Sequence, residues 1–202
     1  MAPFYSVLSI WVGAIVLVAM LKVNLDEKRK TELEALRDYQ AYLGRMVFFL
    51  VMGLLQSGLV CLGDLFFLEI QCEHPMYFLL AGWVSGIVFT IIMYTLTISF
   101  GDVGKAIAVV LLVIQVAGSG GTFPIEMTPR FFQNTAALMP FTYSMNAMRE
   151  CIGGFYENTY WISLAYLSVY AAVFLFIGLV LRKPIIRLNA MFAEKLESTK
   201  LM

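Results

Sequence analysis

Catalytic side chains are nearly missing from this sequence. It holds one histidine, His74, in the short polar turn Q-C-E-H-P at 71–75. A single histidine with no second ligand nearby makes neither a metal site nor an acid–base pair, so His74 reads as a surface residue. The three cysteines, Cys61, Cys72 and Cys151, share no metal-type or redox spacing. There is no G-x-x-x-x-G-K-[ST] phosphate loop, which excludes ATP hydrolysis by that route, and H-E-x-x-H and G-x-S-x-G are absent too. Paired carboxylates inside apolar sequence are also lacking. Neither an enzyme nor a cofactor or metal is expected. Charge is scarce, at 14% of 202 residues against about 25% in soluble domains. The formal net charge is zero, so no bulk field draws the chain to nucleic acid.

What the sequence does have is long apolar runs. The few charges are clustered, and the stretches between them approach the ~20 residues that cross hydrocarbon as a helix. These runs do not alternate as barrel strands do. The fold class is therefore an all-α membrane protein, one polytopic domain over 1–202. Five spans are expected, at about 4–21, 46–68, 76–100, 106–123 and 161–181. The first lacks a basic leader and a small-residue cleavage site, so it reads as a retained span rather than a signal peptide.

Residues 24–44 form a charged linker. Asn24 and Glu27 have capping-box spacing, and Leu33, Leu36, Gln40 and Leu43 keep helical spacing up to Gly44, which is expected to stop the helix. This amphipathic helix is either a solvated connector resting on headgroups or a coupling element. In the second case Lys28, Arg29, Lys30 and Arg37 are its candidate contacts with a cytoplasmic partner.

Three polar residues stand inside apolar runs: Gln56, Asp64 and Gln115. Asp64 lies near the far end of the second span; an intramembrane carboxylate is a functional candidate, but Glu69 and Glu73 close behind favour a residue that reaches headgroups or water. Gly53, Ser57 and Gly58 offer small surfaces, and Gly82 and Gly86 form a G-x-x-x-G packing face. The second half of the third span is rich in hydroxyls, which either bond their own helix or line a polar path.

The stretch Gly118–Gly154 fits none of these classes. The apolar run before it ends at Ala117, too short to cross alone, so the helix either continues through Gly118-Ser119-Gly120-Gly121 or breaks there, and four small residues in a row favour a break or unwinding. Two short amphipathic helices follow, at about 129–139 and 140–152, with Thr128-Pro129 and then Pro140 at their starts and Gly153-Gly154 at the end. Phe141, Met145, Met148 and Ile152 share one face of the second, while Thr142, Asn146, Arg149 and Glu150 gather on the other. The candidate gate residues are Gly118, Gly120, Gly121, Phe123, Pro124, Pro140, Arg149 and Glu150. Arg149 is expected either to pair with Glu150 or Glu126 at the surface or to fix the helix pair from a buried position.

Lys and Arg set the orientation. Of the 14, only Arg130 and Arg149 fall on the side of the Gly-Pro stretch. The rest lie on the side of the 24–44 linker, the Gly101–Lys105 turn and the tail at 182–202. A cell-membrane protein with an external N-terminus and a cytoplasmic C-terminus is expected. Cys72 and Cys151 then share the external side, which leaves a bridge between them open. An external N-terminus with no cleavable signal calls for an upstream helix, so the chain is expected to be the C-terminal part of a longer protein.

The order of elements and four blocks carry a family resemblance. The blocks are F-Y-S-V-L-S-I-W-V-G-A at 4–14, G-T-F-P-I-E at 121–126, P-R-F-F at 129–132 and M-P-F-T-Y-S-M-N-A-M-R-E at 139–150. Together they resemble the C-terminal membrane region of the YhgE/Pip, phage-infection-protein-like family, and through it the type-2 ABC exporter permease domain. The resemblance implies a membrane domain that pairs with a second copy or a second membrane domain in lipid. It also implies work with a separate cytoplasmic ATPase to export an apolar or amphipathic substrate. The alternative is a non-transporting membrane anchor, or a receptor or secretion-apparatus component, that carries an external domain.

Overall fold

The computed structural model of the chain describes residues 2–21, 23, 38–121 and 124–181. Among these residues the regular structure is all helical, with no strand. The long helices are α1 (Ala2–Met20), α2 (Asp38–Phe66), α3 (Pro75–Phe100) and α4 (Asp102–Gly118). A single 3-10 turn, Ile125–Met127, leads to the short helices α5 (Arg130–Ala136) and α6 (Pro140–Gly153). The last helix, α7 (Glu157–Phe176), runs into a wider π-type turn at Ile177–Leu181.

Four helices among the described residues are long and apolar enough to cross a membrane: α1, Tyr42–Phe66 of α2, α3 and Glu157–Val180. The expected span at 106–123 corresponds to α4, which starts earlier and stops at Gly118 after 17 residues. At about 1.5 Å per residue it rises about 25 Å, short of the ~30 Å hydrocarbon core.

The linker expectation needs a correction at its end. Gly44 does not stop a helix; it lies inside α2, which runs unbroken from Asp38. A glycine ends a helix when the chain beyond it leaves helical geometry. Here Met46 to Leu50 open an apolar helical run, so Gly44 costs only about 1 kcal/mol of propensity. Linker residues 24–37, including Lys28, Arg29, Lys30 and Arg37, lie outside the described residues, as does the tail at 182–202.

Helix α3 is the centre of the bundle and packs against α1, α2, α4, α6 and α7. Every residue from Val88 to Ser99 is buried. The small residues of α2 and α3 interlock. A Cβ on Gly53 would lie 2.2 Å from Thr90 Oγ1, one on Gly82 2.1 Å from Cys61 Sγ, and one on Gly86 2.4 Å from Ser57 Oγ. Each glycine thus opens a slot that a neighbouring side chain fills, which is what brings the two backbones close. Near the other end the Tyr42 hydroxyl and Thr95 Oγ1 are hydrogen-bonded at 2.9 Å, and the Tyr94 hydroxyl donates to the Tyr42 carbonyl at 3.0 Å. Gly178, in the π-type turn, leaves room for the Tyr42 ring. The hydroxyls here join helices together.

Candidate functional site

The site is built around the start of α6. Pro140 fits the first helical position because its missing N–H has no intrahelical partner to lose. Met139, ahead of it, supplies no side-chain cap. The next amide, Phe141 N–H, would be an unpaired buried donor. Gln115 of α4 meets it: its Oε1 accepts from Phe141 N–H at 3.2 Å, while its Nε2 donates to the Leu111 carbonyl at 3.2 Å. Gln115 is only 1% exposed. A helix start that lacks its own cap is completed by a residue from another helix.

Helix α4 ends beside this point. Gly118 is buried, and a Cβ there would come within 3.2 Å of the Phe132 carbonyl of α5. Ser119 Oγ donates to the Val116 carbonyl and accepts from Gly121 N–H, which folds the turn. Gly120 has φ +65°, a left-handed conformation that costs a side-chain-bearing residue about 1 kcal/mol or more. Gly121 lies against the Phe4 ring of α1, with Phe4 Cδ2 2.1 Å from where a Cβ would sit. The Phe4 ring meets Phe141 edge-on at 5.8 Å. The glycine turn, α1 and α6 therefore converge on one spot.

Arg149 and Glu150 secure α6 from outside. Arg149 Nη2 donates to the Gly120 carbonyl at 2.9 Å. Its partner is the glycine turn rather than a carboxylate. Glu150 Oε2 accepts from Tyr156 N–H at 3.1 Å, just ahead of α7. Side by side, the two charges tie α6 to the segment before it and the segment after it. Pro124 is exposed and leads into the 3-10 turn; Phe123 lies outside the described residues.

Thr128, at the start of the expected helix, does not cap α5. Its hydroxyl donates to the Ile125 carbonyl at 2.6 Å and closes the 3-10 turn, and the residue at the cap is Pro129. Gln133 Nε2 then binds the Thr128 carbonyl at 2.7 Å.

Helix α6 lies along α3. Its face of Phe141, Met145 and Met148 is fully buried. Ser144 accepts from Ser85 Oγ at 2.8 Å. At the other end the Cys151 carbonyl accepts from His74 N–H at 3.4 Å, at the start of α3. Between Pro75 and Ser85 the helix rises about 15 Å at ~1.5 Å per residue. The start of α6 therefore sits well inside the bundle, and its end sits level with the first turn of α3.

Gln56 and Asp64 belong to a different place, the contact of α1 with α2. The Gln56 amide occupies the space that a Cβ on Gly13 would need. Ser6 Oγ donates to Asp64 Oδ2. Asp64 is 9% exposed, so it packs against α1 rather than standing free as the sequence implied. Neither residue joins Gln115.

Several participants escaped sequence reading. Ser144 carries a signal in retrospect, since it is a polar residue on the apolar stripe of Phe141, Met145 and Met148. Ser85 sits between Gly82 and Gly86 on a face already marked for close packing. Phe4 and Ser6 carry no local signal. On the outer surface Tyr143 stacks on Tyr166 at 4.6 Å, and Tyr77 stacks on Phe155 at 4.7 Å. Among the described residues no group of His, Cys, Asp and Glu can hold a metal ion.

This arrangement binds helices to one another through buried hydrogen bonds and ring contacts. Residues 1–180 match the family model described as ABC-2 family transporter protein. The chain is 27% identical over 152 residues to "Uncharacterized protein YhgE" of Bacillus subtilis (strain 168), covering 75% of this chain and 19% of that protein. The chain thus spans about a fifth of the length of this relative. No solved structure matches it. The chain is a multi-pass membrane protein that belongs to the ABC-2 transporter family, as a YhgE/Pip-like permease domain.

Proposed function

We propose that this chain is the membrane half of an exporter, with α4, the glycine turn, α5 and α6 forming its external closing element. The observation that carries the reading is the Gln115–Phe141 bond. It joins a helix too short to cross to a second short helix whose start is buried beside the middle of α3. Backbone that leaves helical geometry at such a depth is tolerated where protein surrounds it. On this reading α4 and α6 together replace a fifth continuous span, and α6 re-enters the membrane from outside.

The Lys and Arg distribution supports an external N-terminus and a cytoplasmic C-terminus. The segment holding Lys28, Arg29, Lys30 and Arg37 then faces the cytoplasm, where a separate ATPase docks. Two copies pair in the membrane. Few charges line the spans, so the substrate is apolar or amphipathic. The gate residues are Gly118, Gly120, Gly121, Phe123, Pro124, Pro140, Arg149 and Glu150.

Crosslinkers placed at Arg29 and Arg37 test the coupling. Capture of a nucleotide-binding subunit supports the exporter; repeated recovery of none sinks it. Arg149→Ala tests the gate. Unchanged folding, assembly and transport would show that its hold on Gly120 has no part in closure.

One observation favours a second reading. The chain matches only 19% of the length of YhgE, so most of that relative lies elsewhere. In this reading the same bundle anchors an external domain and moves nothing. Transport that persists in purified vesicles of the paired chain and ATPase would eliminate it.

A further inference from the structure

We propose that Cys72 and Cys151 form a reversible intramolecular disulfide that pins the end of α6 to the turn between α2 and α3. The two cysteines are 79 positions apart in sequence, yet Cys72 Sγ donates to the Cys151 carbonyl at 3.2 Å. His74 N–H binds the same carbonyl at 3.4 Å, which holds the turn in place against α6. All three cysteines are free thiols in the structure. Cys151 Sγ points back along its own helix to the Ala147 carbonyl at 3.3 Å. Turning it off that carbonyl, toward the turn, is the motion the bond requires. Disulfides demand close Cα atoms and converging Cβ vectors, and a sulfur already on its partner's backbone comes near to that condition.

Cys72 is half-buried and Cys151 fully buried, so Cys72 reacts first. Its thiolate attacks a small disulfide, RS–SR, forming a mixed disulfide and releasing one RS⁻. The Cys151 thiolate then attacks the Cys72 sulfur, forming the bridge and releasing the second RS⁻. The two cysteine protons end on the two RSH. The pair loses two electrons and the small disulfide gains them. Burial raises both thiols above their ordinary pKa, so exchange is slow at neutral pH and quickens as pH rises. The bond-forming geometry is independent of the exporter reading; the external compartment rests on it.

The test counts thiols on the full chain in membranes. A bulky maleimide applied after denaturation should add three adducts to the reduced chain, one for each of its three cysteines. After oxidised glutathione two of the three should be lost, and dithiothreitol should restore them. In Cys61→Ser both remaining adducts should disappear on oxidation. In Cys72→Ser none should be lost. Three adducts after both glutathione and a permeant pyridyl disulfide, or loss of one alone with either, overturns the proposal. A dimer-sized band on a non-reducing gel that vanishes in Cys72→Ser also overturns it, because the bridge is then between chains. Bridging by a permeant pyridyl disulfide alone, with glutathione inert from outside, upholds the bond and overturns the external placement.

Discussion

Gln115 holds the first free amide of α6. Its Oε1 accepts from the Phe141 N–H at 3.2 Å, across 26 positions of sequence, in a buried contact. The bond joins the end of one truncated helix to the start of another. Gln115→Met keeps the volume and removes the acceptor, leaving a buried donor unpaired. The expected loss is about 1–3 kcal/mol, read by unfolding in detergent. Hydrogen exchange at Phe141 should quicken with it. Unaltered protection at Phe141 would show that the amide has another partner.

Ser85 and Ser144 are bonded to each other and both are 0% exposed. Either serine changed to alanine leaves the other hydroxyl buried without its partner. The pair of changes removes both groups together. The double variant should therefore be more stable than the two single losses predict, with a coupling of about 0.5–3 kcal/mol. Strict additivity would mean that the two hydroxyls do not depend on each other.

Glycines near α6 should divide sharply. Gly121→Ala drives a methyl into the Phe4 ring, and overpacking of this kind costs about 1–3 kcal/mol. Gly153 has open space around its Cβ position. Gly153→Ala should be neutral, or stabilise by about 0.4–1 kcal/mol by restricting the unfolded chain. Melting temperatures of the two variants in one detergent give the comparison. Equal shifts would deny the Gly121–Phe4 contact.

Burial pushes the Cys151 thiol up to about 12, with the neighbouring Cys72 and Glu150 adding to the rise. The fold therefore favours the neutral thiol. That preference is fully present below the unfolded value of about 8.5 and is lost as pH climbs toward about 12. In Cys72→Ser, which removes the other cysteine near Cys151, alkylation at residue 151 should be far slower in the folded chain than in the denatured one. It should rise roughly tenfold per pH unit as the thiolate fraction grows. Equal rates folded and denatured would place this sulfur in water.

The legible part of the site followed from local chemistry. The prolines and glycines that punctuate 118–154 mark where helices begin and end, and α4 does stop at Gly118, with α6 running from Pro140 to Gly153. The apolar stripe of α6 was readable because its period is that of a helix. Partners were not. Arg149 carried carboxylates nearby in sequence, yet it binds the carbonyl of Gly120, which the left-handed turn aims at it. Asp64 looked solvated because of the acidic residues after it, yet Ser6 covers it from a helix 58 positions away. Gly44 read as a stop because the pattern before it ended, while the pattern after it carried the helix on.

By itself the sequence determined that this is a helical membrane protein, which stretches are apolar enough to cross, and which family it resembles. Those properties depend on composition and on periods of a few residues, which a single chain displays openly. The tertiary structure alone decided that α6 begins deep beside α3, that Gln115 caps it, and that Arg149 and Glu150 hold its two neighbours. Those relations depend on which faces meet across tens of residues. The burial of an unpaired amide selects Gln115, and the space left by Gly121 admits Phe4. Neither demand exists until the helices are packed.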